Sequence, residues 1–194
     1  MKGCRSFTDE EAVLVMKTFG GAYVLRDRAI FAVGRYTGER ISAILHLKVG
    51  DVIQGGKVAD AVAYRRSNRK GKVEGRTVKL HPEAKAALTA WINQLSKDTF
   101  LSAEDYVFQS RKGQNKPVGR VQYHRILKEA IEANEMTGKI ATHSMRKTFA
   151  DRVYEALGHD IFRTQKALGH RNINSTVAYL SFKESDIDAA IMGM

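Results

Sequence analysis

Helical periodicity governs this chain almost from end to end, and a single stretch interrupts it. Apolar residues recur three and four apart in segment after segment, the spacing that gives a helix one buried face. Thr8-Asp9-Glu10-Glu11 reads as a capping box opening a helix with Val13, Leu14 and Met16 directed inward and a stop at Gly20-Gly21. A second helix is predicted over 27–36, broken at Thr37-Gly38, and a third from about Arg40, carrying Ile41, Ile44, Leu45 and Leu47. The interruption runs over 58–66, rich in Val and Ala, then a basic turn, then 76–80, and reads as a β-hairpin. Pro82 opens a helix through Leu95. Further helices are predicted over 121–134, 143–157, 160–168, 175–182 and 185–192. The expected fold is α+β, mostly α, with one small antiparallel sheet.

Two prolines, no repeat and no low-complexity tract leave no visible linker, so the 194 residues read as a single domain. A domain of this size buries roughly 70% of the surface its unfolded chain exposes, and needs no disulfide or metal staple. Its lone cysteine, Cys4, excludes a disulfide framework and suits a reducing cytoplasm. Nothing resembles a signal peptide, and no apolar run approaches membrane-spanning length.

Charge is the first functional pointer. Thirty-two Lys and Arg against 21 acids give +11 and a pI near 9.8, a balance suited to a polyanionic partner. The excess is clustered. Arg65, Arg66, Arg69, Lys70, Lys72, Arg76 and Lys79 are opposed only by Glu74, and the stretch from Arg111 to Lys128 holds six basic residues and no acid. One such cluster is usually a solvated face; two together favour nucleic acid. Arg65, Arg66, Arg69, Lys72, Lys112, Lys116, Arg120 and Arg125 in these clusters, with Lys147 outside them, are the candidate contacts to nucleic acid.

Other residues are not explained by packing. In Thr37-Gly38-Glu39-Arg40-Ile41-Ser42 a turn delivers an arginine at a helix start. His143-Ser144-Met145-Arg146 sets an imidazole and a guanidinium on one helical face. Leu168-Gly169-His170 follows, and nine residues later Tyr179 lies within Ser175-Thr176-Val177-Ala178-Tyr179-Leu180. Each alone has a mundane account: a surface arginine, an accidental His-x-x-Arg, a core tyrosine.

Together, in this order, they resemble the catalytic domain of the tyrosine recombinase (phage integrase) family, over nearly the whole chain. The resemblance implies site-specific DNA recombination, integration or excision, by metal-free cleavage and rejoining through a 3′-phosphotyrosine, without a cofactor. Tyr179 would be the nucleophile, Arg40 and Arg146 the phosphate clamp, His143 the proton-exchanging group and His170 a hydrogen-bond donor to the phosphate. The residue types suit the chemistry. A free tyrosine has a pKa of ~10, so ionising it at pH 7 costs roughly 4 kcal/mol unless the site assists. Guanidinium matches phosphate oxygens in a bidentate way, and placed positive charge stabilises the charge that develops there. The family's general acid is a lysine in the hairpin turn; here Lys70, followed by glycine, is the better match and Lys72 the runner-up. Leu157-Gly158-His159 repeats the Leu-Gly-His tripeptide, but its spacing makes His159 a helix-end residue.

Two departures stand out. Many family members carry an acid three positions after the first arginine, where this chain has Ala43. The family also places a separate helical DNA-binding domain before the catalytic one; the expectation is that this sequence is either a fragment of a longer recombinase, with that domain absent from it, or a minimal form that grips DNA from one side. The resemblance further implies a cytoplasmic, nucleoid-associated protein, monomeric without DNA and tetrameric on it through exchange of the C-terminal tail. Ile187, Ala190, Ile191 and Met194 recur at helical spacing in that tail, behind Ser185 or Asp186 as N-cap. Two rival readings remain: a type IB topoisomerase-like enzyme, and a non-catalytic regulator using 164–182 as a helix-turn-helix. The six scattered histidines lack the spacing of a metal-dependent nuclease.

Overall fold

A computed structural model describes residues 3–68, 75–98, 100–180, 188 and 191–193. The chain forms two compact units, Met1–Phe149 and Ala150–Met194. In the first unit α1 (Asp9–Thr18) opens on the expected capping box, Thr8 Oγ1 accepting from the Glu11 N–H while the Glu11 carboxylate accepts from the Thr8 N–H. Its phase differs from the sequence reading. Ala12 and Val15 are the buried residues, and Val13 and Leu14 face solvent. The helix ends at Thr18 with Phe19 as its C-cap, just before the glycines, and the Phe19 ring packs edge-on against Phe31.

α2 (Val24–Thr37) is the central helix, buried along most of its length and packed on α5 (Pro82–Asp98). Ala84, Leu88, Trp91 and Ile92 give α5 one apolar face at i, i+4, i+7 and i+8. Trp91 also donates its indole N–H to the Val107 carbonyl. α6 (Arg120–Ala133) repeats that spacing with Tyr123, Leu127, Ala130 and Ile131, leaving Arg120, Gln122, His124 and Arg125 on the surface.

Between these helices lie the short α3 (Ile41–Leu45) and α4 (Val49–Val52) and two antiparallel two-stranded ladders rather than one. The first, β1 (Ile53–Gln54) with β2 (Lys57–Val58), turns at Gly55-Gly56, both at positive φ. Two-residue strands offer too little alternation to be read from sequence. The second, β3 (Ala61–Tyr64) with β4 (Arg76–Lys79), is the expected hairpin, and its last pair before the basic turn is Tyr64 opposite Arg76.

α7 (Thr142–Ala156) crosses from the first unit into the second. Within the second unit it stops at Gly158 and His159, both left-handed, with the His159 N–H on the Tyr154 carbonyl and the two rings edge to face. His159 is the helix-end residue the spacing implied. α8 (Ile161–Leu168) is capped by Asp160, and α9 spans only Ile173–Val177. The expected helix over 175–182 therefore begins earlier and stops before Tyr179. The Tyr179 N–H bonds to the Thr176 carbonyl, a tightening of the last turn that ends the helix. Most of the tail helix expected over 185–192 lies outside the described residues; Ile191 and Met192 are exposed.

Candidate active site

The turn between α2 and α3 is the hinge of the first unit's site. Gly38 caps α2 at φ 61°, a conformation that favours glycine. A β-carbon there would also stand 2.7 Å from Phe149 Cγ, so glycine is required for space as well as for φ. Arg40 then falls on the N-cap of α3, held half-exposed by the burial of Ile41, Ile44 and Leu45 behind it.

α7 comes close to the same turn. Met145 packs against Gly34, where a β-carbon would approach Met145 Sδ to 2.7 Å. The next residue, Arg146, is 2% exposed, and its guanidinium donates to the Gly38 carbonyl. The second arginine motif is thus hydrogen-bonded to the turn that presents the first. Three residues earlier, His143 opens onto a cleft of about 520 Å³ lined also by Arg40, Ile41, Ser42, Arg120, Val121 and His124. Partial removal from water, together with the Arg146, Arg40 and Arg120 guanidiniums, holds the His143 imidazole below its ordinary pKa. The residue as a whole still reaches solvent. Sequence alone gives Arg120 only as one DNA contact among nine and does not single out His124. Their i, i+4 spacing on the first turns of α6 is the signal that joins them to the cleft.

Two further contacts tie the turn to the β3–β4 hairpin. Thr37 Oγ1 donates to the Val33 carbonyl, so in its 3.0 Å contact with Tyr64 the phenol is the donor. Burial pushes the Tyr64 phenol far above its usual range. Glu39, with its carboxylate almost fully buried, accepts from Arg76 at 2.9 Å. Ala43, where the family resemblance sets an acid, is buried; the buried carboxylate adjoining Arg40 is that of Glu39.

In the second unit Leu168 is buried, Gly169 takes φ 63° as the cap of α8, and His170 follows. Its N–H reaches the Gln165 carbonyl, and Gln165 Nε2 donates to the carbonyls of His170 and Arg171. With His170 Nδ1 on the fully buried Thr176 hydroxyl at 3.0 Å, the ring's orientation is set. The Tyr179 ring lies 5.3 Å from it, centroid to centroid, at a tilt of 44°.

The remaining candidates divide. Lys70, Lys72 and Arg69 lie outside the described residues. Arg66, Lys112, Lys116 and Arg125 are exposed, and Lys147 is half-buried. Arg65 is engaged: its guanidinium bridges Asp51 at 2.7 Å and Glu104 at 3.5 Å. Among the described residues no group of three His, Cys, Asp or Glu could hold a metal ion. None of their helices is long and apolar enough to cross a membrane.

An arginine-lined cleft on a helical body with a basic hairpin, and a His–Tyr pair in the following unit, define a class. The chain belongs to the phage integrase family, matching it over residues 5–185, and relatives it matches are named integrase/recombinase and tyrosine recombinase. It is 30% identical over 165 residues to a Bacillus subtilis (strain 168) protein named "Probable integrase/recombinase YoeC", covering 85% of this chain and 82% of that one. It is 25% identical over 184 residues to tyrosine recombinase XerC of Caldanaerobacter subterraneus subsp. tengcongensis, covering 95% of this chain but 49% of the relative. Among solved structures it superposes on XerH bound to a palindromic difH substrate after cleavage with a TM-score of 0.77 at 20% identity, covering 96% of this chain and 51% of that one. XerA recombinase gives 0.74 at 25% identity, covering 97% and 65%. The chain thus spans most of the Bacillus relative, about half of XerC and XerH, and about two thirds of XerA.

Proposed function

We propose that this chain carries out metal-free DNA strand cleavage and rejoining for site-specific recombination. The single observation that carries the reading is the bond from Arg146 to Gly38. It locks the two arginine motifs together at a cleft that also holds His143, which suits a clamp for one phosphodiester. In this reading Arg40 and Arg146 hold the non-bridging oxygens of the scissile phosphate. The Tyr179 oxygen attacks phosphorus, the bond to the 5′-oxygen breaks, and a 3′-phosphotyrosine forms. His143 takes the tyrosine proton, its lowered pKa keeping it neutral and receptive near pH 7. Lys70, or failing that Lys72, protonates the departing 5′-oxygen, and His170 hydrogen-bonds the phosphate. Attack by a 5′-hydroxyl on the phosphotyrosine reverses these steps, so rejoining needs no external energy source. The partner is double-stranded DNA, on which four protomers assemble by exchanging C-terminal tails; the exposed Ile191 and Met192 supply apolar surface for that exchange.

The test is a suicide substrate carrying the target site with a nick near the cleavage point. Wild-type protein should form an SDS-resistant adduct with it. Tyr179→Phe should form none while binding the same DNA within about twofold. An adduct that persisted in this variant would assign the nucleophile elsewhere, and loss of binding would make Tyr179 a structural residue.

A further inference from the structure

Among the described residues the buried threonines are Thr37, Thr148, Thr164 and Thr176, all in helices. The first three donate their hydroxyl protons to the carbonyl four residues back, Thr37 to Val33, Thr148 to Ser144 and Thr164 to Asp160, the ordinary outlet for a hydroxyl inside a helix. Thr176 does not. Its hydroxyl has one partner among the described residues, His170 Nδ1 at 3.0 Å. The Thr176 carbonyl accepts the N–H of Tyr179 at 2.9 Å and of Leu180 at 3.2 Å. One fully buried residue of the second unit therefore meets the histidine ring through its side chain and the tyrosine turn through its backbone.

A hydroxyl and an imidazole nitrogen can share a proton in either direction, and the two directions leave different groups unsatisfied. If Nδ1 carried the proton and donated it, the Thr176 hydroxyl hydrogen would have no acceptor in a place closed to water. A buried donor left in that state costs stability. If the hydroxyl donates, it is satisfied by the Nδ1 lone pair, and the neutral ring carries its proton on Nε2. Only this second arrangement leaves no orphan at Thr176.

We infer that Thr176 is a positioning residue for the phosphate contact: by donating to Nδ1 it holds His170 in the tautomer whose Nε2–H is the donor. This rests on the phosphate role proposed for His170 above, which with Nδ1 engaged by Thr176 falls to Nε2 and needs a proton there. A ring of mixed tautomers would meet the phosphate oxygen part of the time with a lone pair. The loss would appear in the rate of cleavage, because the duplex keeps its many other contacts.

Ring-nitrogen NMR shifts of the full chain with isotope-labelled histidine read the tautomer directly. His170 is identified by the signals lost in His170→Gln, and the pH is raised until the ring is neutral. Wild type should show Nε2 protonated and Nδ1 unprotonated. Thr176→Val keeps the side chain's shape and the backbone bonds but removes the donor, so both nitrogens should move toward the values of a mixed population. Thr176→Ser restores the hydroxyl and should return the wild-type pattern. Adduct formation on the nicked suicide substrate should follow the same order. Thr176→Val should cleave about fivefold slower than wild type, the worth of one hydrogen bond, with duplex binding within about twofold, and Thr176→Ser should cleave within about twofold of wild type. A wild-type ring protonated on Nδ1 would overturn the assignment without any variant, so the test stands even where Thr176→Val folds poorly. Nitrogen shifts unchanged in Thr176→Val would overturn it as well, and so would a shifted tautomer with undiminished cleavage. If His170→Gln itself cleaved at the wild-type rate, the phosphate role of His170 would fall and the positioning role of Thr176 with it, while the shifts would still decide the tautomer.

Discussion

At the scale of single residues, the cleft couples its arginines to its histidine. His143 shares its surroundings with Arg146, Arg40 and Arg120, and partial burial and these cations hold its pKa below the ordinary imidazole value. The folded protein therefore keeps the ring neutral down to a lower pH than a free histidine would, and the acid limb of a cleavage profile should lie below about pH 6.5. Arg120→Gln removes one of the three cations while leaving Arg40 and Arg146 in place. Its expected effect is an upward movement of that limb, toward the ordinary imidazole range, with a smaller change at the alkaline plateau. His124 lines the same cleft, so His124→Gln is the necessary control and should leave the limb where it is. A pH–rate profile of adduct formation checks both. An acid limb that moved with His124→Gln and not with Arg120→Gln would make His124 the titrating group. The candidate residues were legible in sequence because they stand in motifs of fixed residue type and order: Arg40, His143, Arg146, His170 and Tyr179. The ion pair of Glu39 with Arg76 was not legible in sequence, because it is set by tertiary packing across 37 residues.

At the scale of elements, periodicity located the helices well and phased them less well. α5 and α6 have apolar faces wide enough to fix their own rotation, and their buried residues follow the pattern. α1 is short and carries apolar residues on more than one side, so tertiary contacts at Phe7, Phe19 and Phe31 decided that Ala12 and Val15 turn inward. The Tyr179 region reads as helix because its residues tolerate one, but a tightened last turn ends α9 at Val177. That places the nucleophile of the proposed reaction beyond the helix rather than within it. The break at Thr37-Gly38 was the most reliable signal, and its cause is steric. Gly38→Ala would force a β-carbon into the left-handed region at about 1–2 kcal/mol and drive it into the Phe149 ring, adding about 1–3 kcal/mol of overpacking. For a chain of this length the sum should lower the melting temperature by about 4–20 °C. Calorimetry on the variant checks this, and an unchanged melting temperature would mean that the turn relaxes freely. Because the Gly38 carbonyl accepts from Arg146, cleavage at a temperature well below melting should fall further than stability alone explains.

At the scale of the whole molecule, the +11 charge is not evenly useful. Sequence could count the basic residues but not say which are already engaged, since pairing is a matter of tertiary position. Arg65 is the instructive case. It sits in the densest basic run, yet its guanidinium bridges Asp51 and Glu104, and the Asp51 side chain is only 6% exposed. Removing Arg65 should therefore cost folding more than binding. Arg65→Gln leaves the buried Asp51 oxygen without its charged donor, a loss of about 1 kcal/mol, at the low end for buried acceptors because Arg65 itself is partly solvated. Lys112 and Lys116 differ. They stand exposed on the irregular segment ahead of α6, whose first turns carry Arg120 and His124 at the edge of the cleft. If they meet phosphates of a duplex lying across that cleft, binding releases the counterions of those phosphates. The slope of log affinity against log salt then falls by about 0.9 for each phosphate that is no longer neutralised. Lys112→Gln/Lys116→Gln should accordingly weaken binding to cognate and unrelated duplexes alike and flatten the slope by about 1.8, with the melting temperature unchanged. Arg65→Gln should do the reverse, lowering the melting temperature by about 2–4 °C with little change in slope. Fluorescence anisotropy titrations from low to moderate salt, with melting curves on the same preparations, read both quantities. A slope that flattened only for Arg65→Gln would show that the duplex displaces the Asp51 and Glu104 pairs, and would move the DNA track from the α6 side of the cleft to the hairpin.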